Sequence, residues 1–136
     1  MRIVLDTNVF ISGIFFAGPP YRILQAWRDG RVELVVCLEI LTEYRKVAAK
    51  LNQKYRSVDI LPLIDLVAVR SQIVQPHALP KPVCEDPDDD IFLACALTAK
   101  TPIVVSGDRH LLNVSGFAGI QVLRPKAFVD TYLSGP

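Results

Sequence analysis

The sequence lacks every mark of a membrane, secreted or low-complexity protein. No apolar run approaches the roughly 20 residues that span a bilayer. Asp6 and Asn8 interrupt the apolar start and no small-residue cleavage site follows, so no secretion signal is expected. Cysteine is scarce: the three residues, Cys37, Cys84 and Cys95, all sit in apolar surroundings. So small and odd a number reads as buried reduced thiols in a cytoplasmic protein, not as a disulfide framework. His77 and His110 stand apart in the chain, which leaves a zinc site short of closely spaced ligands. Seven glycines and ten prolines exclude a collagen-like or glycine-rich chain. Charge of one sign is not in excess either. Fifteen basic and 14 acidic residues leave a net charge of +1, which excludes a strongly basic nucleic-acid coat but not a local basic patch.

What is present is apolar content, 51% of 136 residues, enough for one domain over 1–136 with a generous core. Four short β-branched runs, at 2–5, 33–36, 103–105 and 121–123, do not alternate with polar residues, as in strands buried on both faces of a parallel sheet. A fifth, weaker run lies at 72–75. Helical spacing of apolar residues predicts helices over 20–28, 38–51, 59–70, 90–100 and 126–133. Asp59 can cap the third, and Thr101-Pro102 stops the fourth. A short helix is expected between the last two strong strands. Strands alternating with helices indicate an α/β layered fold around a mostly parallel sheet. The proline-rich stretch 76–87 reads as a loop within the domain.

The acids are unevenly placed. Glu85, Asp86, Asp88, Asp89 and Asp90 crowd one segment, while Asp6 and Asp108 each follow a predicted strand. Open parallel sheets bind ligands beyond the carboxyl ends of their strands, so these groups should converge at one edge. Close carboxylates either share protons or bind a cation, and hard oxygen donors suit Mg²⁺ or Mn²⁺. Structural roles compete with this. Taken alone, Asp6 reads more readily as a turn or helix-cap residue than as a ligand. Asp86 reads as a cap with Pro87 in the first helical position, and Asp88 as an acid favoured by the helix dipole. Glu43 borders the apolar stripe of its helix, flanked by the row Lys46, Lys50 and Lys54. That row is either a solvated face, with Glu43 paired to Lys46, or a phosphate track.

Asp6-Thr7-Asn8, Glu43, Asp90 opening the Ile-Phe-Leu-Ala-Cys-Ala helix, and Ser106-Gly107-Asp108 together resemble the PIN domain, over essentially the whole chain. The stretch from Cys84 through Asp90, followed by Phe92-Leu93, looks like the branch described as toxins of toxin–antitoxin pairs, VapC-like ribonucleases. The resemblance implies a Rossmann-like three-layer α/β/α sandwich and Mg²⁺- or Mn²⁺-dependent hydrolysis of RNA. It makes Asp6, Glu43, Asp90 and Asp108 the catalytic, metal-holding acids, with Asn8, Ser106 and Asp88 supporting them. One or two ions would activate water for in-line attack on phosphorus. RNA would be a partner, bound by Lys46, Lys50 and Lys54. An antitoxin protein and a homodimer or higher oligomer would be others, with the helices at 20–28 and 59–70 offering the surface. The alternative is a catalytically weak PIN-like module that binds RNA or protein. A haloacid-dehalogenase-like phosphotransferase would want aspartate where Asn8 stands, and no Gly-x-Gly-x-x-Gly follows a strand to bind a dinucleotide.

Overall fold

The structure, a computed structural model, describes residues 1–56 and 59–133. Five strands form one parallel sheet: β1 (Arg2–Leu5), β2 (Glu33–Val36), β3 (Gln72–Ile73), β4 (Ile103–Val105) and β5 (Gln121–Leu123). Their order is β3-β2-β1-β4-β5. The four strong strands carry the predicted bounds. The fifth is shorter than its run, although the Val74 amide still donates to the Val36 carbonyl at 2.9 Å. The central strands are buried on both faces, which explains their unbroken apolar character. Helices flank the sheet, giving the expected α/β sandwich: α1 (Thr7–Phe15), α2 (Pro19–Arg28), α3 (Leu38–Lys54), α4 (Leu61–Arg70), α5 (Asp90–Thr98), the short α6 (Arg109–Leu112) and α7 (Pro125–Phe128). A single π turn, Val129–Leu133, extends α7.

Helix α1 is absent from the sequence-based prediction. Its residues are β-branched (Thr7, Val9, Ile11, Ile14), aromatic (Phe10, Phe15) or small and polar (Asn8, Ser12), with Gly13 among them, all weak helix formers. Burial decides instead: Val9, Phe10 and Ile11 sink into the core. Gly13 belongs there because a Cβ would lie 2.7 Å from Leu24 Cδ1 and 2.8 Å from the Pro20 carbonyl, so only glycine lets α2 pack this closely. Helix α5 stops at Thr98, two residues short of its predicted end. Lys100 takes the left-handed conformation (φ 55°) that commonly follows a helix, and Thr101-Pro102 prevents continuation. Helix α4 begins at Leu61, two residues later than predicted, so Ile60 and not Asp59 takes the cap position; Asp59, one residue before it, accepts a hydrogen bond from the Leu61 amide at 3.3 Å.

The order of strands reverses at β1. The chain steps outward from β1 through β2 to β3, then returns to place β4 on the other side of β1. This creates a crevice between the carboxyl ends of β1 and β4. The pairing brings Leu5 beside Val105, and the Asp6 amide continues the ladder by donating to the Val105 carbonyl at 3.0 Å. Helix α1 is fastened to α3 by the rings of Phe10 and Tyr44, stacked 4.3 Å apart and nearly parallel. The Tyr44 hydroxyl donates to the Leu5 carbonyl at 2.6 Å, tying α3 to the end of β1. Of the two helices expected to offer a partner surface, α4 leaves Leu61, Leu66 and Val69 exposed and α2 leaves Tyr21 exposed. Among the described residues, no helix is long and apolar enough to cross a membrane. All three cysteines are free and buried.

Replacing Tyr44 by Phe keeps the ring stack but removes the buried hydroxyl. The expected loss is about 1–2 kcal/mol, read as a lower urea midpoint with an unchanged slope. An unchanged midpoint would show that this bond does not hold the β1 terminus.

Candidate metal centre

The crevice at the strand-order reversal opens into a cleft of about 850 Å³. Its walls include all four acids expected from the sequence, Asp6, Glu43, Asp90 and Asp108, along with Asn8, Lys46 and Asp88. Lys50 and Lys54 lie further along α3, outside it. Each acid is placed by the element it ends or begins.

Asp6 follows β1 and is only 6% exposed. It occupies the cap position of α1, but its side chain makes no capping bond. Its Oδ2 instead accepts a 2.6 Å hydrogen bond from the hydroxyl of the fully buried Ser106, which follows β4. Burial pushes the Asp6 pKa up. The Ser106 hydroxyl and the nearby Asn8 amide oppose this, the charge of Asp108 adds to it, and the Thr7 amide opposes it again. The Ser106 Oγ also accepts from the Asp108 amide at 2.9 Å, so one hydroxyl sets both strand-end acids. Asp108 in turn caps α6, its Oδ1 accepting from the His110 amide at 2.7 Å.

The segment before α5 divides its acids between structure and cleft. Asp86 accepts from the Asp88 amide at 3.0 Å and caps the 3-10 turn Pro87–Asp89, with Pro87 in the first position as the sequence indicated. The Asp90 carboxylate is claimed by the preceding loop: Oδ2 accepts from the Val83 amide at 3.0 Å and Oδ1 from the Cys84 amide at 2.7 Å. Burial opposes its charge, but the Cys84 and Val83 amides outweigh it and hold the pKa below the ordinary value. Asp89 lines the same cleft, and no backbone amide claims its buried Oδ2. Its pKa is pushed up to about 6, by burial first and then by the charges of Asp108, Asp86 and Asp6, with His110 pulling it back. Its Oδ2 is buried and accepts no hydrogen bond. Thus Asp89, rather than Asp90, is the acid of this segment that feels both strand-end carboxylates.

His110, isolated in the sequence, is central here. Its Nδ1 lies 3.5 Å from Asp89 Oδ2 and 3.8 Å from Asp108 Oδ1, and its Nε2 lies 3.6 Å from Glu85. Donor atoms of Asp86, Asp89 and His110 all fall within 4.8 Å of one another, so the three could hold a divalent ion. The spacing Asp108-x-His110 after β4 was the available signal, since a capping aspartate holds the amide of the residue two places on. Glu43 stays exposed, and among the described residues neither it nor Lys46 forms an ion pair.

The residues fit a hard divalent cation. Carboxylate oxygens dominate the donors, the buried Asp89 Oδ2 accepts no hydrogen bond, and the acids raise one another's pKa values. Residues 2–110 match the family model described as PIN domain. An uncharacterized protein of the archaeon Methanocaldococcus jannaschii is 28% identical, the match covering 97% of this chain and 92% of that protein.

Asp89 also sets a pH dependence. With its folded pKa raised from 3.8 to about 6, the folded state holds a proton that the unfolded state has released between those values. Its contribution to stability therefore falls as pH rises through that window. Asp89→Asn should flatten this slope and raise Tm by roughly 3 °C above pH 6 in metal-free buffer. Melts at pH 4–8 for both proteins check it; parallel curves would refute the raised pKa. With the family model covering most of its length and the acids gathered where β1 and β4 part, the chain belongs to the PIN domain family.

Proposed function

We propose that the protein is a metal-dependent ribonuclease that hydrolyses RNA phosphodiester bonds, and that it acts as the toxin of a toxin–antitoxin pair. The observation that carries the nuclease reading is the gathering of Asp6, Asp89 and Asp108 on one cleft at the strand-order reversal, with Asp86, Asp89 and His110 offering donor atoms within 4.8 Å of one another. The toxin assignment rests on the resemblance of the Cys84 to Asp90 stretch.

Asp6, Asp89 and Asp108 would hold Mg²⁺ or Mn²⁺, with Glu43 on the cleft wall and His110 and Asp86 beside them. When bound, the cation supplies Lewis-acid chemistry, acidifying water and neutralising charge on the phosphate. The protein's part is to fix the acids. Ser106 aims Asp6 and Asp108 together, and the β1–β4 ladder keeps Asp6 from retreating into solvent. Lys46, on the same cleft, offers a cation to an incoming phosphate, and Lys50 and Lys54 continue that charge along α3. No side-chain nucleophile is required: the Ser106 hydroxyl is fully buried and donates to a carboxylate.

Asp6→Asn should abolish metal-dependent cleavage of single-stranded RNA. Stability without metal should hold or rise, because a buried, repelled charge is removed, and the Tm gain on adding Mn²⁺ should shrink. Full cleavage by this variant would overturn the nuclease assignment. Lys50→Ala should instead weaken RNA binding and make its salt dependence shallower, leaving the Mn²⁺ shift intact.

A further inference from the structure

Helices α1 and α3 both begin at the cleft and run away from it side by side, joined midway by the Phe10–Tyr44 stack. Their far ends meet in an aromatic cluster. Phe15 lies 5.4 Å from Tyr55 and 6.5 Å from Phe16, ring centre to ring centre. Two of these rings face water: Phe16 is 66% exposed and Tyr55 is 42% exposed. The ammonium of Lys54 stands 5.5 Å above the Tyr55 ring.

Lys46, Lys50 and Lys54 follow one another at four-residue spacing, so they form a single ridge from the cleft to this cluster. Over that span α3 advances about 12 Å at ~1.5 Å per residue. All three lysines are exposed, and among the described residues none is paired with an acid. The face is therefore not one of mutually neutralised salt pairs. It offers a line of free positive charge ending in exposed rings.

We propose that Phe16 and Tyr55 form a base-stacking platform for single-stranded RNA, with the lysine ridge carrying the phosphates from the platform to the acidic cleft. The proposal rests on the nuclease reading and adds a subsite to it. Aromatic faces beside a cationic track are what sequence-tolerant binding of a single strand requires, because every base has a face to stack. A protein partner fits less well, since the buried centres of protein interfaces are depleted in lysine.

The test is equilibrium binding in EDTA, where nothing is cleaved, of a fluorescein-labelled oligouridylate and an abasic oligomer of equal length. Phe16→Ala and Tyr55→Ala should each raise Kd for the oligouridylate about fivefold or more, with an unchanged salt slope. Tyr55→Phe should stay near the parent value, and the abasic oligomer should bind all of these proteins alike. Far-UV circular dichroism verifies folding, and Phe16→Ala decides the matter if Tyr55→Ala disturbs the packing on Phe15. Parent-like affinity in Phe16→Ala, or an equal loss on the abasic oligomer, would overturn the platform while leaving the nuclease reading standing. Loss of self-association with unchanged RNA affinity would assign the patch to protein docking and overturn it as well. Absence of both RNA binding and RNA cleavage in the parent protein would sink the platform and the nuclease reading together.

Discussion

Asp6 is gripped from two directions: its amide bonds to the Val105 carbonyl, and its carboxylate receives the Ser106 hydroxyl. Both partners belong to β4 and its end, so the position of Asp6 depends on the pairing of β1 with β4. Without that grip, a carboxylate near Asp89 and Asp108 would swing toward water and relieve the repulsion. The sheet prevents this, and concentrated negative charge persists at its edge. Burial then magnifies the effect by removing the solvent that would screen it. Rigid backbone, a short hydroxyl bond and partial desolvation together leave a cation as the natural complement.

The acids around the cleft differ in what already satisfies them. Asp90 has two backbone amides, Asp86 the amide of Asp88, and Asp6 the hydroxyl of Ser106. Asp89 Oδ2, although buried, accepts no hydrogen bond and has only the His110 imidazole, 3.5 Å away. Satisfied carboxylates shape the loops and the 3-10 turn; the unsatisfied one has capacity left for a ligand. Asp90 therefore anchors the 76–87 loop against the start of α5 and forms a wall of the cleft through that anchorage.

Much of this was legible in the sequence. The unalternated β-branched runs located the strands, and the acids following two of them located the crevice. Glu43, Asp90, Asp6 and Asp108 do share one cleft. Helix α1 was not legible, because its residues have poor intrinsic helix propensity and the decisive burial is tertiary. The choice between Asp89 and Asp90 was not legible either. A 3-10 turn advances about 120° per residue and an α-helix about 100°, so a helical wheel drawn from α5 loses phase in the turn before it. Helix α5 is also apolar nearly all round and offers no face to read. His110 escaped notice because its partners Glu85 and Asp89 lie on the far side of α5 and β4 in the chain, and only the folded loops bring them together.

The bond between Ser106 and Asp6 spans 100 residues of sequence. In chain order β1, α1 and α3 come well before β4, and without β4 Asp6 has neither the Val105 carbonyl nor the Ser106 hydroxyl. The cleft takes its described form only when β4 lies beside β1 and carries Ser106, Asp108 and His110 into place. A nascent or truncated chain that stops short of β4 would have no such centre, however well its earlier helices were packed. The topology thus completes the centre by the same strand insertion that joins β4 to the middle of the sheet.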